Sequence, residues 1–214
     1  MALHPVRGDA ASAASLACLA NAVRARDELS AGRAVSAHER NVAGLVMLLA
    51  GALGLPSGRA ELIGMAAAVH DVGKLTIPDA ILLKPGSPTP EEWTVLRHHA
   101  RLGEAILAGH GDPLLDLAAT IARSHHEAYD GSGYPDGLSG EAIPAEARIV
   151  AICDVYDALR QERAYKPALD HCAALDVMVR RDGRSGLDRF DPAMLSRFVA
   201  IQSEVERAWA AGSR

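Results

Sequence analysis

Histidine and carboxylate side chains recur along this chain in a pattern typical of a metal site. Imidazole nitrogens and carboxylate oxygens are the ligands expected for iron, manganese or zinc. A single histidine on a helix is more often structural than a ligand, so the interpretation depends on the whole set and on the sequence around each member. The candidate ligands are His38, His70, Asp71, His99, His125, His126 and Asp154.

His70 and Asp71 stand together in the string HDVGKLTIPDAILLKPG. The histidine can bind one metal ion while the adjacent carboxylate bridges to a second ion about 3.5–4 Å away, the spacing used for in-line phosphoryl chemistry. Lys74, three residues after Asp71, lies near the same face and could hold a phosphate or stabilise charge in the transition state. The alternative is a chance His-Asp dipeptide beside a surface lysine.

His125 and His126 open the string HHEAYDGSGYPDGLSGEAIP, which is rich in glycine and proline. Its glycines allow tight turns with positive φ, and Tyr134-Pro135 predicts an extended, rigid step. Adjacent helical residues diverge by about 100°, so both histidines bind one ion only if the helix end is aimed at it. The alternative is a turn-rich surface loop after a polar helix end.

Asp154 follows an apolar stretch at residues 149–153, which predicts a buried carboxylate. A buried carboxylate needs a partner, and a metal ion is one such partner. Asp157, one turn later, could support a ligand or cap the helix. Arg163 and Lys166 come next along the chain and could clamp phosphate groups.

Several helices have to converge to bring these residues together, and the interior of a helical bundle is a common place for a metal site. Alanine and leucine dominate the chain, alanine is the strongest helix former, and no period-two strand pattern is present. The sequence therefore predicts an all-α fold. We expect helices over residues 12–29, 37–53, 59–69, 90–107, 114–126, 145–159, 169–181 and 192–210, with at most a short helix near residue 81.

The composition narrows the functional classes. The net charge of -5 and the pI near 6.0 predict no general affinity for nucleic acid. No apolar stretch approaches the ~18 residues needed to span a membrane. The cysteines are scattered without a CxxC pair, which favours a reduced, cytoplasmic compartment. No serine or cysteine stands in a convincing nucleophilic triad.

The chain resembles the HD-GYP family in the strings HDVGKLTIPDAILLKPG, HHEAYDGSGYPDGL, ARIVAICDVYDAL, RAYKPAL and RFDP. The resemblance is almost continuous over residues 70–192 and looser over residues 38–56. It implies an α-helical bundle of the HD superfamily with a metal centre in its interior. It also implies a phosphodiesterase that hydrolyses cyclic di-GMP to linear pGpG, to GMP or to both.

The resemblance also implies a role for each candidate residue. Two divalent ions, iron or manganese, would share Asp71. One ion would be bound by His38, His70, Asp71 and Asp154, and the other by Asp71, His99, His125 and His126. Asp71 and Lys74 would act in catalysis. The substrate would be contacted by Lys74, Arg163 and Lys166 at its phosphates and by the signature loop with Gly133, Tyr134 and Pro135.

Three departures from the family pattern bear on these roles. Ala34 stands where some members carry a glutamate that helps to bind a third ion, so we expect two metals. Asn41 stands where an arginine is common. The segment ALRQERAYK lacks the usual Thr-Ser pair and the proline after its arginine. The last departure concerns the substrate contacts rather than the metal ligands.

Two other functions stay open. One is a phosphohydrolase of the HD superfamily with another substrate, such as 3'3'-cGAMP. The other is an inactive signalling module that binds a cyclic dinucleotide or a protein, although the complete ligand set argues against it.

The expected organisation is an N-terminal helical extension at residues 1–30 and a catalytic domain at residues 31–214. The expected partners are a cyclic dinucleotide and, at the GYP loop, a diguanylate cyclase or another signalling protein, with a homodimer as a candidate assembly. No nucleic acid and no membrane are expected as partners.

Overall fold

The structure, a computed structural model, describes residues 10–31, 38–162, 167–180 and 187–212. This part of the chain contains helices and no β-strand, which confirms the predicted all-α fold. None of the described helices combines the length and the apolar character needed to cross a membrane. The helices are α1 (Ala10–Ala31), α2 (His38–Ala52), α3 (Ser57–Ala67), α4 (Asp79–Leu82), α5 (Pro90–Arg97), α6 (His99–Leu107), α7 (Pro113–Ser124), α8 (Ala145–Arg160), α9 (His171–Val179), α10 (Pro192–Ala200) and α11 (Gln202–Gly212), with short 3-10 helices at Val72–Thr76, Gly140–Ala142 and Leu187–Arg189.

Capping residues in the local sequence determine where several helices begin. The Thr89 side chain accepts a hydrogen bond from the backbone N–H of Glu92, and the Glu92 carboxylate accepts one from the backbone N–H of Thr89. The side chains of Asp112 and Asp191 cap α7 and α10. Each accepts hydrogen bonds from two backbone N–H groups of the first turn. Such caps satisfy donors that a helix end otherwise leaves without partners.

The core lies between α2, α3, α7 and α8. Leu45 and Leu49 of α2, Ile63 of α3, Ile121 of α7 and Ile149 of α8 are at most 1% exposed. Burial of each such side chain contributes about 1.5–3 kcal/mol relative to exposure. Helix α6 packs along α7 and against the 3-10 helix Val72–Thr76. This packing brings the C-terminal ends of α3 and α7 close to the N-terminal end of α6.

Helix α1 packs against this bundle. Leu16 is 2% exposed and belongs to the core, and the Ser12 hydroxyl donates to Oδ2 of Asp112 over 2.5 Å. The helix contacts α7 and the 3-10 helix Val72–Thr76. The division into an extension at residues 1–30 and a catalytic domain at residues 31–214 stays a prediction.

Two of the predicted helices are interrupted, so the continuous helices expected over residues 90–107 and 192–210 are wrong. The backbone tightens at His98, whose N–H donates to the Val95 carbonyl over 3.1 Å, and α6 begins at His99. The second break lies at Ile201, with φ -105° and ψ 25°. The helices that follow the two breaks contribute His99 and Val205, which are both buried.

Candidate metal centre

The candidate ligands lie mostly at helix ends. Two of them begin helices, two adjacent pairs lie just beyond the C-terminal ends of helices, and one lies inside a helix. The structure brings them all into one cluster, although they come from distant parts of the chain. His38 begins α2 and His99 begins α6, His70-Asp71 and His125-His126 follow α3 and α7, and Asp154 lies inside α8.

One half of the cluster consists of Asp71, His99, His125 and His126, whose ligand atoms all lie within 4.8 Å of one another. The Nε2 atom of His99 lies 3.3 Å from Oδ1 of Asp71 and 3.5 Å from Nε2 of His125. The Nε2 atom of His125 lies 3.7 Å from the same carboxylate oxygen. Atoms at these separations can share one ion, because metal–nitrogen and metal–oxygen bonds are about 2.0–2.2 Å long.

The other half consists of His38, His70 and Asp154. The Nε2 atoms of His38 and His70 lie 3.4 Å and 3.7 Å from Oδ1 of Asp154, whose side chain is 14% exposed. The Nε2 atom of His70 also lies 3.3 Å from Oδ2 of Asp71. The Asp71 carboxylate therefore presents Oδ1 to one half of the cluster and Oδ2 to the other.

Backbone carbonyl groups orient three of the imidazole rings. A carbonyl oxygen only accepts hydrogen bonds, so the Nδ1 atom facing it carries the proton, and in the neutral ring Nε2 keeps its lone pair. The Nε2 atoms of these rings point into the cluster, as the ligand nitrogens of a metal site do. The Nδ1–H groups of His70, His99 and His125 donate to the carbonyls of Ala67 over 2.8 Å, Leu96 over 2.6 Å and Ala122 over 2.9 Å.

The residues present fit a bound cation. Nε2 of His70 and Oδ1 of Asp71 are buried, and neither has a hydrogen-bond partner among the residues that the structure describes. Burying such groups without a partner is unfavourable, and most buried polar atoms in proteins are paired. A divalent cation would satisfy both atoms. The His/Asp cluster could therefore bind metal.

Individual histidines of the cluster differ in the pKa of their imidazole rings. Burial by itself lowers the pKa of His70, but the carboxylates of Asp71 and Asp154 outweigh it and raise this pKa to about 9. Burial lowers the pKa of His99 to about 4, and burial and the neighbouring histidines hold the pKa of His126 well below its usual range. Near pH 7 His99 and His126 are therefore neutral, whereas His70 holds a proton that a cation has to displace.

Lys74 reaches Asp71 from the 3-10 helix Val72–Thr76, with its Nζ atom 2.5 Å from Oδ2. Burial by itself raises the pKa of Asp71, but the charges of Lys74 and His70 outweigh it and hold this pKa well below its usual range. The carboxylate is therefore ionised throughout the neutral range. The lysine predicted to contact phosphate thus contacts the carboxylate that faces both halves of the cluster.

Gly73 is a residue of the site that the sequence analysis missed. A Cβ atom at residue 73 would collide with the carbonyl oxygen of His99 and would lie 2.6 Å from the backbone nitrogen of Gly103. The first turn of α6 can therefore approach the turn after Asp71 only because residue 73 lacks a side chain. The glycine in the string HDVGK was the available signal.

The loop with Gly133, Tyr134 and Pro135 lies against the histidine end of α7. A Cβ atom at Gly133 would collide with the backbone of residues 127–128. The backbone N–H of Tyr134 donates to the His126 carbonyl over 3.2 Å, and the two rings lie 4.7 Å apart. The buried Glu127 carboxylate accepts from the backbone N–H groups of residues 136 and 138. These hydrogen bonds fix the loop in place beside His126.

Arg97 is a second residue that the sequence analysis missed. Its guanidinium lies over the Tyr134 ring, 5.1 Å from the centroid, at the exposed C-terminal end of α5. A cation in this position is attracted by the face of the ring. Arg97 forms no ion pair with a carboxylate in the described part of the chain. The sequence analysis also predicted phosphate contacts by Arg163 and Lys166. Both residues lie outside the residues that the structure describes, and so does Ala34.

Known proteins are similar to this chain over most of its length. The family model of the HD domain matches residues 18–194. The cyclic di-GMP phosphodiesterase response regulator RpfG of Xanthomonas campestris is 45% identical over 195 residues, which cover 90% of this chain and 49% of RpfG. This chain belongs to the HD-GYP family. The chain spans about half the length of RpfG.

Other relatives of this HD-GYP chain are longer still. A cyclic di-GMP phosphodiesterase of Vibrio cholerae is 46% identical over 149 residues, which cover 67% of this chain and 30% of that protein. The 3'3'-cGAMP-specific phosphodiesterase 2 of Vibrio cholerae is 40% identical over 195 residues, which cover 87% and 35%. Among solved structures, Bd1817, a HDG"Y"P protein from Bdellovibrio bacteriovorus, matches with a TM-score of 0.63 at 19% identity, covering 90% of this chain and 62% of that one, and it shares the fold.

Proposed function

We propose that this chain is a metal-dependent phosphodiesterase that hydrolyses cyclic di-GMP to linear pGpG, to GMP or to both. The observation that carries the proposal is the position of Asp71, whose two carboxylate oxygens face two separate groups of imidazole nitrogens. A shared carboxylate between two groups of ligands suits in-line attack on a phosphodiester. The names of RpfG and of the first Vibrio relative support cyclic di-GMP as the substrate.

The proposed cofactors are two divalent ions, iron or manganese. His38, His70, Asp71 and Asp154 would hold one ion, and Asp71, His99, His125 and His126 the other. When bound, such ions lower the pKa of a water molecule and neutralise charge on the phosphoryl oxygens. The chain itself contributes the fixed Nε2 lone pairs and an Asp71 carboxylate that stays ionised.

The proposed substrate contacts surround this centre. Lys74 would turn its ammonium group from Asp71 toward a phosphoryl oxygen, and Arg97 lies at the neighbouring Tyr134, where it would attract the second phosphate of the ring. Gly133, Tyr134 and Pro135 would form the wall of the substrate site beside His126. Arg163 and Lys166 would add further cationic contacts to phosphate.

A second candidate substrate is 3'3'-cGAMP, which the name of the 40% identical Vibrio relative supports. The two cyclic dinucleotides share their phosphodiester ring and differ in one base, so the metal centre does not distinguish them. An inactive binding module is disfavoured because all seven candidate ligands are present in one cluster. Binding of a diguanylate cyclase or another signalling protein at the GYP loop, a homodimer and a cytoplasmic location stay predictions.

The test is direct turnover. The protein is purified without oxygen, loaded with iron(II) or manganese(II), and given cyclic di-GMP and 3'3'-cGAMP in separate and in competing reactions that are followed by chromatography. Asp71→Asn is the site variant, and Asp116→Asn, which changes an exposed carboxylate on α7, is the matched control. We expect linear pGpG or GMP from the wild type and from Asp116→Asn, and no product from Asp71→Asn.

Each result decides between the candidates. Faster turnover of 3'3'-cGAMP than of cyclic di-GMP would reassign the substrate while keeping the enzyme class. Metal-loaded protein that binds two ions and leaves both cyclic dinucleotides intact would contradict the phosphodiesterase proposal. Equal activity of Asp71→Asn and the wild type would contradict the role of Asp71.

A further inference from the structure

A buried carboxylate outside the ligand cluster accepts four hydrogen bonds. Asp157 is 0% exposed and lies on α8, one turn after Asp154. Its Oδ2 atom accepts from His38 Nδ1 over 2.6 Å and from Gln161 Nε2 over 2.5 Å. Its Oδ1 atom accepts from Asn41 Nδ2 over 3.0 Å and from Trp209 Nε1 over 2.6 Å. Four donors match the roughly four lone-pair positions that a carboxylate offers.

This carboxylate orients a candidate metal ligand. Because Asp157 accepts the Nδ1–H of His38, the Nε2 atom of that ring is the one that faces Asp154, 3.4 Å away. A second partner of this kind fixes the ring and its tautomer and raises the basicity of the ligand nitrogen. The position of Asp157 is therefore coupled to the position of His38.

One of the four donors comes from the C-terminal helix. Trp209 lies on α11, outside the residues 18–194 that match the HD domain model. The guanidinium of Arg160 lies over its indole ring, 4.1 Å from the centroid. The indole N–H thus donates to the Asp157 carboxylate. Val205 is the one residue of α11 that is fully buried.

The end of α11 packs onto α2 at a small residue, Gly212, and at the Asn41 side chain. A Cβ atom at Gly212 would collide with Oδ1 of Asn41, so the end of α11 lies directly on this side chain. The amide nitrogen of the same Asn41 side chain donates to Asp157. Asn41 thus both supports Asp157 and contacts the end of α11.

We propose that Trp209 is a positioning residue for the candidate metal ligand His38, because its indole N–H holds Asp157 and Asp157 holds the His38 imidazole. The inference rests on the metal centre of the proposed function, but not on its substrate. Helix α11 thereby sets the affinity of the half of the cluster that contains His38, His70 and Asp154. The half that contains His99, His125 and His126 has no such connection among the described residues.

The test is a manganese(II) titration, with free manganese followed by electron paramagnetic resonance. Trp209→Phe keeps an aromatic ring and removes the indole N–H. Loss of a residue that hydrogen-bonds a metal ligand typically weakens metal binding by about 10–100-fold. Trp209 hydrogen-bonds Asp157, which in turn hydrogen-bonds the ligand, so its loss should have a smaller effect. We therefore expect one of the two ions to bind about 3- to 10-fold more weakly and the other to bind as in the wild type.

The matched control is Trp93→Phe, which changes the other tryptophan of the chain, an exposed residue on α5. It should leave the affinity for both ions unchanged. A double-mutant cycle separates positioning from general loosening: Asp157→Asn should weaken the same ion by about 10–100-fold, and Trp209→Phe should add little in that background. Circular dichroism of the metal-free variants confirms that each one is folded.

A second measurement keeps Trp209 in place. In Trp93→Phe, Trp209 is the remaining tryptophan, and its fluorescence should change as one of the two ions binds and stay constant as the other binds. Three results would overturn the inference: no metal binding by the wild type, equal weakening of both ions in Trp209→Phe, or unchanged Trp209 emission throughout the titration. Two bound ions with the expected selective loss, but no hydrolysis of a cyclic dinucleotide, would overturn the proposed function alone.

Discussion

The ammonium nitrogen of Lys74 lies 2.5 Å from Oδ2 of Asp71, the carboxylate that faces both halves of the ligand cluster. The two residues are one 3-10 turn apart, so the local backbone alone brings them together. The lysine side chain is 28% exposed, so a substrate can reach it from solvent. This contact links the metal centre to the proposed phosphate contact.

Lys74→Met should lower kcat without changing the metal content. Removing one donor that stabilises charge in a transition state typically costs about 10²–10³-fold in kcat. Lys74→Arg should recover part of this loss, because it restores the positive charge. Steady-state turnover and metal analysis check both variants. The matched control is Lys84→Met, which removes a lysine paired with Glu92 away from the cluster, and wild-type turnover is expected there. An unchanged kcat in Lys74→Met would remove this residue from the mechanism.

Metal binding near pH 7 should release a proton from His70. The pKa of His70 in the metal-free chain is raised to about 9, so the ring is protonated below that pH and has to lose its proton to bind a cation. The affinity for manganese(II) should therefore rise with pH up to about 9 and then level off. Calorimetry in buffers of different ionisation enthalpy measures the number of protons released. No proton release near pH 7 would contradict the raised pKa.

Gly73→Ala should destabilise the protein and disturb the ligand cluster together. The added methyl group meets backbone atoms of His99 and Gly103, which cannot move aside by changing rotamer. Overpacking of this kind typically costs about 1–3 kcal/mol. Chemical unfolding and metal titration check the two effects. The control is Gly44→Ala in the middle of α2, where the new Cβ meets nothing within 4 Å and stability should rise by about 0.5–1 kcal/mol.

Arg97→Ala should raise the KM for the cyclic dinucleotide by about 10-fold and change kcat little. The reason is that an Arg–phosphate contact away from the reacting atoms contributes about 1–2 kcal/mol to binding. Arg97→Lys should have a KM between those of the wild type and Arg97→Ala. Arg207→Ala, at an arginine whose side chain is 73% exposed on α11, is the control. A lower kcat with an unchanged KM would place Arg97 in catalysis instead. No change in either constant would exclude a substrate contact.

The sequence by itself determined the helical class, the identity of the candidate ligands and their family. Alanine- and leucine-rich segments, with caps such as Thr89 and Asp112, specify helices locally, because backbone donors at a helix start are satisfied within one turn. The His-Asp and His-His pairs stand in strings long enough to be specific. The residues that the structure brings into one cluster could therefore be identified from the sequence alone.

Tertiary packing decided the remaining features, because they depend on contacts between distant segments. The close approach of Gly73 to α6 and the position of Arg97 over Tyr134 are contacts of this kind. The bonds from Asp157 to His38 and to Trp209 span 119 and 52 residues. No local pattern encodes such a contact, since the side chains meet only after the bundle has closed around the buried carboxylate.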